Sequence, residues 1–219
     1  MFWESVILES FRRLSQIVGK NRIGWRYDPI LLNETYTVSR HIEAFSEMAK
    51  ALAGYTDNAV ISFIDLYEKT RRNFPEVRAV GKQDRLAIGE AFASIAKENG
   101  MTLRPCGEGD ELARFGADCS GCMTQKMYES ALGTRLSIPY HAPARETCAC
   151  YLGGDIGAYN TCLHLCRYCY ANYSAPLVLA NHAQHDPASP LLIGDLREGD
   201  TIHEAKQESW RDDQLSFDL

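Results

Sequence analysis

The stretch NAVISFIDLY, residues 58–67, is the strongest strand signal in the chain. Its apolar residues follow one another almost without interruption, which is typical of a strand that is buried on both faces of a parallel sheet. The flanking segments, TVSRHIEAFSEMAKALAG at 37–54 and KQDRLAIGEAFASIAKENG at 82–100, have apolar residues at helical spacing. The order helix, buried strand, helix predicts a parallel α/β fold.

Two weaker strands and two further helices extend this alternation in both directions. RIGWRY at 22–27 predicts a strand that stops at Asp28-Pro29, and MTLRPC at 101–106 predicts a third strand. Helical spacing of apolar residues predicts helices at 4–19 and 123–133. Each strand with its helix spans roughly 35 to 40 residues, which is the size of a βαβ unit.

Residues 1–133 are therefore interpreted as the (βα)-repeat part of a TIM-like barrel. A closed barrel of this type takes about 250 residues and eight strands, whereas the chain has 219 residues and only three clear strands. We expect a partial or permuted barrel. Residues 134–219 form an irregular, cysteine-rich region, with weak strand signals at 150–152 and 190–196 and a helix signal at 201–212.

The composition is that of an ordinary globular protein, with 45% hydrophobic residues and 24% charged residues. No apolar run approaches the roughly 20 residues that cross a bilayer, and Glu4 and Glu9 interrupt the apolar start in a way that a signal peptide does not. We expect a cytoplasmic protein with no membrane partner. The net charge of −6 gives no overall attraction to nucleic acid, although a local basic groove is compatible with it.

Cysteines are unusually frequent for a cytoplasmic chain, and they are grouped. In a reducing compartment they are not expected to form disulfides, so grouping predicts metal binding. The alternative is that most of the cysteines are small buried apolar residues. The eight cysteines are Cys106, Cys119, Cys122, Cys148, Cys150, Cys162, Cys166 and Cys169.

The loop TCLHLCRYCYANYS, residues 161–174, carries three of these cysteines, Cys162, Cys166 and Cys169. Three thiolates on one loop suit three corners of a cubic 4Fe–4S cluster and leave the fourth iron without a protein ligand. An open metal position is what a catalytic site needs. A zinc ion is the alternative, with His164, or the C-x-C pair of Cys148 and Cys150, completing a set of four ligands.

The remaining cysteines predict a second metal site. Cys148 and Cys150 are too close in the sequence to be accidental neighbours in space. With Cys119, and with Cys106 or Cys122, they could hold a second cluster or a zinc ion. Buried or incidental thiols are the alternative interpretation.

Charged side chains follow the predicted strands, at the edge where parallel α/β folds gather their chemistry. Asp28, Asp65 and Glu108 are candidate catalytic residues because ionisable groups at three such ends can converge on one pocket. Arg26 is a candidate for cofactor binding. The alternative is that Arg26 with Asp28, or Asp65 with Lys69, forms a rim salt bridge.

The three-cysteine loop resembles the signature of radical S-adenosylmethionine (radical SAM) enzymes, in which the residue before the last cysteine is usually aromatic, as Tyr168 is here. CLHLCRYCYAN is similar to the spore photoproduct lyase-like branch, in which Tyr-Ala follows the last cysteine. Nearly all of residues 5–195 resembles the domain of unknown function 1848 family. The segments that carry this resemblance are WRYDPILLNETYTVSRHIEAF, ISFIDLYEKTRRN, DIGAYNTCLHLCRYCYAN and HDPASPLL.

The radical SAM resemblance implies that Cys162, Cys166 and Cys169 ligate a 4Fe–4S cluster whose open iron is chelated by S-adenosylmethionine. Reduction by an electron donor such as a flavodoxin or ferredoxin would then yield methionine and a 5′-deoxyadenosyl radical, which abstracts hydrogen from a substrate that the sequence does not identify. Tyr168 would pack near the adenine, and the lyase-like branch makes a base or nucleotide a weak candidate for the target. The alternative is a non-catalytic structural iron–sulfur or zinc-binding module.

Overall fold

The structure is a computed structural model that describes residues 2–139, 150, 157–204 and 208–212. The chain divides into two compact units whose segments alternate along the sequence. The first unit comprises Met1–Ile64, Arg78–Leu152 and Trp210–Leu219, and the second comprises Asp65–Val77 and Gly153–Ser209. The boundary predicted between residues 133 and 134 stays a prediction.

A three-stranded parallel sheet forms the centre of the first unit. Its strands are β1 (Trp25–Ile30), β2 (Asn58–Phe63) and β3 (Thr102–Pro105), in the spatial order β1-β2-β3. The α/β class and the parallel sheet are therefore confirmed. The sheet is open, and the described residues do not form a closed barrel.

The described residues contain six α-helices, and none of these is long and apolar enough to cross a membrane. Helical periodicity correctly predicted the four that belong to the first unit. The six are α1 (Phe2–Val18), α2 (Val38–Leu52), α3 (Glu68–Asn73), α4 (Lys82–Glu98), α5 (Gln125–Leu132) and α6 (Ala175–Ala183). Short 3-10 helices lie at Lys20–Arg22 and Glu111–Phe115.

One face of the sheet carries the main hydrophobic core. Alternate residues of the strands, such as Trp25 and Ile61, pack there against α2 and α4. Phe45 of α2 and Phe92 of α4 are both fully buried, and their rings stack with centroids 3.8 Å apart. Burying each of these side chains contributes roughly 1.5–3 kcal/mol to stability.

The opposite face of the sheet is mostly polar, and we call it the polar face. Arg26, Val60 and Arg104 are neighbours in the strand register and lie on this face. The residues in between along each strand point to the main core because side chains alternate. The members of the polar face are Arg26, Asp28, Asn58, Val60, Ser62, Arg104 and Cys106.

The strand β1 does not stop at Asp28-Pro29, so that prediction is wrong. The strand continues to Ile30, with an irregular register between Tyr27 and Ile30. The strand lies at the edge of the three-stranded sheet, where a proline that cannot donate a backbone hydrogen bond is tolerated.

The described residues of the second unit form α3, α6 and irregular segments. Ser174 caps α6 by accepting a hydrogen bond from the backbone N–H of Leu177 at 3.3 Å. The strand predicted at 190–196 is absent, since these residues form bends and coil. The described part of the predicted helix at 201–212 is not helical, and most of the predicted strand at 150–152 lies outside the described residues.

Candidate cysteine sites

We call residues 160–174 the cysteine loop. The buried Asn160 joins the two ends of this loop. The backbone N–H of Asn160 donates to the carbonyl oxygen of Ala171 at 3.0 Å. The Asn160 side-chain oxygen accepts from the backbone N–H groups of Tyr173 at 2.8 Å and of Ser174 at 3.1 Å. Both ends of the loop are thus joined by one side chain that is 1% exposed.

Within the cysteine loop the backbone near each cysteine is also fixed. The Asn172 side chain donates to the carbonyl oxygen of Cys162 at 2.5 Å, and the N–H of Cys169 donates to the carbonyl oxygen of Cys166 at 2.9 Å. Leu165 has a φ of 50°, in the left-handed region that costs a non-glycine residue about 1–3 kcal/mol. That cost is sustained by the surrounding contacts, so the loop has a defined shape.

The helix α3 supports the cysteine loop from one side. Lys69 donates from Nζ to the carbonyl oxygen of Tyr170 at 2.6 Å, and the same Nζ lies 4.8 Å from the ring centroid of Tyr173. The hydroxyl of Thr70 donates to the carbonyl oxygen of Tyr168 at 3.3 Å. Two consecutive helix residues therefore hold the backbone that follows Cys166.

Arg167 attaches the cysteine loop to the residues that follow α3. Its guanidinium donates to both carboxylate oxygens of Glu76, at 2.6 and 3.0 Å, and to the carbonyl oxygen of Asn73 at 3.2 Å. It also lies 4.2 Å from the ring centroid of Phe74. The hydrogen bond from Arg167 lowers the pKa of Glu76. Arg167 thus has three different partners beside the loop.

The thiols of the loop are accessible. Cys162 and Cys166 are exposed and Cys169 is half-buried, and His164 between them is exposed as well. Thiolates are the ligands that soft metals and iron–sulfur clusters prefer in proteins. The packing of Tyr168 against an adenine stays a prediction.

A second group of thiols lies in the first unit, and we call Cys106, Cys122 and Cys150 the buried trio. The Sγ atom of Cys122 lies 3.4 Å from that of Cys106 and 3.3 Å from that of Cys150. The backbone N–H of Cys122 also donates to the Cys150 sulfur, at 3.3 Å. Cys122 and Cys150 are buried, and Cys106 is half-buried.

The strand β3 places two parts of the buried trio. The N–H of Cys106 donates to the carbonyl oxygen of Ile61 at 2.8 Å, so the sheet ladder continues past the end of β3. The segment that carries Cys122 is held by Arg104, which donates to the carbonyl oxygen of Gly121 at 3.2 Å and pairs with Asp118 at 2.7 Å. Both anchors bring their cysteines to the polar face.

The Arg26 side chain contacts these thiols. It donates to the Cys122 sulfur at 3.8 Å and to the carboxylate of Asp28 at 2.6 and 3.2 Å. The hydrogen bond from the Cys122 thiol lowers the pKa of Cys106 to about 6, and Arg26 acts in the same direction while burial opposes it. The same thiol–thiol hydrogen bond raises the pKa of Cys122.

The candidate catalytic carboxylates already have partners in the structure. Asp28 forms the predicted rim salt bridge with Arg26 and accepts from the Ser62 hydroxyl at 3.3 Å. Glu108 accepts a hydrogen bond from the backbone N–H of Phe63 at 2.7 Å and pairs with Arg85 at 2.5 Å. It therefore links the end of β2 to α4.

Asp65 belongs to the second unit rather than to the sheet. Its carboxylate accepts a hydrogen bond from the hydroxyl of Tyr67 at 3.2 Å. The convergence of Asp28, Asp65 and Glu108 on one pocket stays a prediction.

The structure divides the cysteines that were candidates for a second site. The Cys119 thiol donates to the carbonyl oxygen of Ala117 at 3.9 Å and packs against the main core, whereas Cys150 contacts Cys122. Burial and the charges of two nearby aspartates raise the pKa of Cys119. Cys148 lies outside the described residues. Among the described side chains of His, Cys, Asp and Glu, no group of three or more is placed so that it could hold a metal ion as it stands.

The sequence comparison identifies one family. A family model described as Domain of unknown function (DUF1848) matches residues 3–171, which include all eight cysteines and most of the chain. No curated protein and no solved structure matches the chain.

Proposed function

The chain belongs to the family described as Domain of unknown function (DUF1848), and we propose that it is an iron–sulfur protein that acts as a radical SAM-like enzyme. In this proposal Cys162, Cys166 and Cys169 bind a 4Fe–4S cluster. The observation that carries the proposal is a loop with a fixed backbone that presents three thiols, two of them exposed.

Several features of the second unit favour a cluster in this loop. The loop is closed by Asn160 and supported by Lys69 and Arg167, so the backbone that carries its thiols is ordered before any metal binds. A preorganised loop loses less conformational entropy when it binds a ligand. Three cysteines also leave one iron of a cube without a protein ligand, which gives a small molecule a place to bind.

A bound cluster of this kind supplies the electron for cleavage of S-adenosylmethionine, and the chain supplies binding and orientation. Tyr168 is the proposed contact for the adenine, and Arg26 is a proposed cofactor contact. The proposed catalytic groups are Asp28, Asp65 and Glu108. A base or nucleotide is one candidate for the substrate. The proposed electron donor is a flavodoxin or ferredoxin, and the proposed location is the cytoplasm.

The partial or permuted TIM-like barrel belongs to the same proposal. In such barrels helices cover the outside of the sheet and side chains of the other face fill the interior. Here α2 and α4 cover one face of the sheet, while the other face is polar. The helices on one face alone support the idea that the other face corresponds to a barrel interior.

A non-catalytic iron–sulfur or zinc-binding module is the second candidate. The observation that favours it is the attachment of the cysteine loop to α3 by several hydrogen bonds, since a metal in the loop would then stabilise the unit. A zinc site would draw its fourth ligand from His164 or from a residue outside the loop.

Anaerobic purification followed by measurement of iron, acid-labile sulfide and zinc distinguishes these candidates. The proposal expects close to four irons and four sulfides in a loop-bound cluster, and formation of 5′-deoxyadenosine when dithionite and S-adenosylmethionine are added. The triple variant C162A/C166A/C169A is expected to lose both properties, and the matched control Cys119→Ala is expected to retain them. Iron without 5′-deoxyadenosine supports the structural module, and a loop that takes up only zinc contradicts the iron–sulfur proposal.

A further inference from the structure

Three thiols from distant parts of the sequence meet on the polar face of the first unit. Cys106 follows β3, Cys122 follows the second 3-10 helix, and Cys150 lies 28 residues further along the chain. Their neighbour from the sheet is Val60. The main core uses large aliphatic and aromatic side chains, so three adjoining sulfurs outside it call for a separate explanation.

The sulfur separations identify the kind of ligand that suits this trio. A disulfide would place two sulfurs about 2.05 Å apart. Four thiolates around one zinc ion, with bonds of about 2.3 Å, lie about 3.8 Å from one another in a tetrahedron. The observed distances from Cys122, 3.3 and 3.4 Å, are much nearer to the second value.

A cubic cluster fits the buried trio less well than a single ion. Each cysteine of such a cluster binds a different iron, so its sulfurs lie further apart than sulfurs that share one metal. Thiolates also favour zinc over hard cations such as magnesium. The short contacts of Cys122 therefore favour one zinc ion over a second cube.

We propose that Cys106, Cys122 and Cys150 bind a single zinc ion on the polar face, separately from the cysteine loop. The trio is not a complete site as it stands, because both outer sulfurs contact Cys122 instead of a common centre. In a tetrahedral zinc site each of these two sulfurs would lie about 3.8 Å from the Cys122 sulfur, which is farther than the observed 3.4 and 3.3 Å. Three thiolates leave one of the four positions for a ligand from outside the trio.

The charges around the trio suit a zinc thiolate site. Zinc binding displaces the thiol protons into solvent, and three thiolates with one Zn²⁺ carry a net charge of −1. Arg26 donates to the Cys122 sulfur at 3.8 Å and supplies a positive charge beside it. Asp28 accepts two hydrogen bonds from Arg26 and thereby orients it, which is the usual arrangement of groups that contact metal ligands.

The test uses the full chain without its loop thiols, as the variant C162A/C166A/C169A. Two of these three cysteines are exposed and none belongs to the trio, so the first unit is retained. This variant is expected to bind about one Zn²⁺ per chain, and Co²⁺ in its place is expected to give thiolate charge-transfer absorption with tetrahedral ligand-field bands. Circular dichroism checks that each protein is folded.

Further substitutions in this background locate the ion. Cys122→Ala is expected to weaken Zn²⁺ binding by roughly 100-fold or more, and Arg26→Gln by roughly 10- to 100-fold because it contacts a ligand without being one. Cys119→Ala is the matched control from the same C-x-x-C pair and is expected to leave the affinity unchanged.

Three results would overturn the zinc proposal. The first is that the loop variant binds no Zn²⁺, and the second is that Cys122→Ala leaves its Zn²⁺ affinity unchanged. The third is that the anaerobic protein has a mass lower by two hydrogens because of a disulfide within the trio. Each of these leaves the iron content of the original chain unaffected. Absence of an iron–sulfur cluster from the original chain would contradict the proposed function without bearing on the zinc site.

Discussion

The side-chain oxygen of Asn160 accepts the backbone N–H of Tyr173 at 2.8 Å, which joins the two ends of the cysteine loop through one buried residue. Replacing Asn160 by alanine leaves this N–H and that of Ser174 without their acceptor, at a cost of about 1–3 kcal/mol. We expect Asn160→Ala to lower the iron content after anaerobic reconstitution and to lower the melting temperature.

The control for this prediction is Asn160→Asp, which retains the oxygen acceptor. Asn160 has a φ of 58°, a conformation that asparagine and aspartate tolerate better than alanine does. Asn160→Gly tolerates the φ but lacks the oxygen. If Asn160→Gly binds as much iron as the original chain, the side-chain hydrogen bonds do not organise the loop.

A second prediction concerns Arg167 and Glu76. Arg167→Ala removes the ion pair, the hydrogen bond to Asn73 and the contact with Phe74, so it should reduce cluster occupancy. Glu76→Gln removes only the charge of an exposed partner and should have a much smaller effect, since solvent screens such pairs. Iron and sulfide content per chain measures both.

Comparing the two variants distinguishes the contribution of Arg167 packing from that of the Arg167–Glu76 ion pair. Equal losses in Arg167→Ala and Glu76→Gln would show that the ion pair itself organises the loop. In that case the difference between the variants and the original chain should shrink at high salt, where screening already weakens the pair in the original chain. Unchanged occupancy in both variants would show that Arg167 does not support the cysteines.

A third prediction uses Tyr27, whose pKa burial raises to about 12 from an ordinary value of 10.0. The Tyr27 hydroxyl lies 2.8 Å from Nδ1 of His41, and the opposite ring nitrogen lies 2.8 Å from the carbonyl oxygen of Leu31. With a neutral ring, Nε2 donates to Leu31 and Nδ1 accepts from Tyr27, because a carbonyl can only accept.

The sign of the pH dependence follows from the raised pKa. The unfolded state loses the tyrosine proton first, so the stability associated with Tyr27 is complete below pH 10 and is lost as the pH rises towards 12. Tyr27→Phe should flatten this part of the curve of unfolding free energy against pH. An equally steep decline in Tyr27→Phe would assign the alkaline instability to other groups.

The fold could be predicted from the sequence wherever apolar spacing was dense. The strand at Asn58–Phe63 and the long helices beside it follow from that spacing. The expectation that β2 is apolar on both faces was only half right, because Asn58 and Ser62 face the polar side. An apolar run with two interspersed polar residues fits a strand buried on both faces and a strand buried on one face. Only its neighbours in space distinguish the two.

The helices of the second unit had no such signal. The segment EKTRRN of α3 has no apolar periodicity, and APLVLANHA of α6 is apolar on most sides. α3 is short and donates hydrogen bonds through Lys69 and Thr70 to the cysteine loop. Tertiary contacts of this kind stabilise a short helix that its own sequence would not.

The candidate sites were predictable in their grouping but not in their membership. The sequence grouped Cys119 with Cys150, yet Cys150 contacts Cys122 while Cys119 packs against the main core. The supporting role of Asn160 carried no local motif beyond an asparagine two residues before a cysteine. Both facts depend on contacts between residues far apart in the chain.

A fourth prediction concerns the Cys106 thiol in protein freed of metal by a chelator. The hydrogen bond from Cys122 and the charge of Arg26 lower the pKa of Cys106 to about 6. Because the folded-state pKa is below the ordinary value of 9.0, the stability linked to this thiolate is complete above pH 9 and is lost as the pH falls towards 6. The thiolate is also the reactive form of cysteine.

Alkylation by iodoacetamide at a series of pH values, followed by mass spectrometry of the peptide that contains Cys106, measures this directly. The rate should reach half its maximum near pH 6, and Cys122→Ala or Arg26→Gln should move that midpoint upward. Cys119 is an internal control, because its pKa is raised and its alkylation should be slow throughout the neutral range. A Cys106 midpoint near pH 9 in the folded, metal-free chain would contradict the hydrogen-bonded arrangement of Cys106, Cys122 and Arg26.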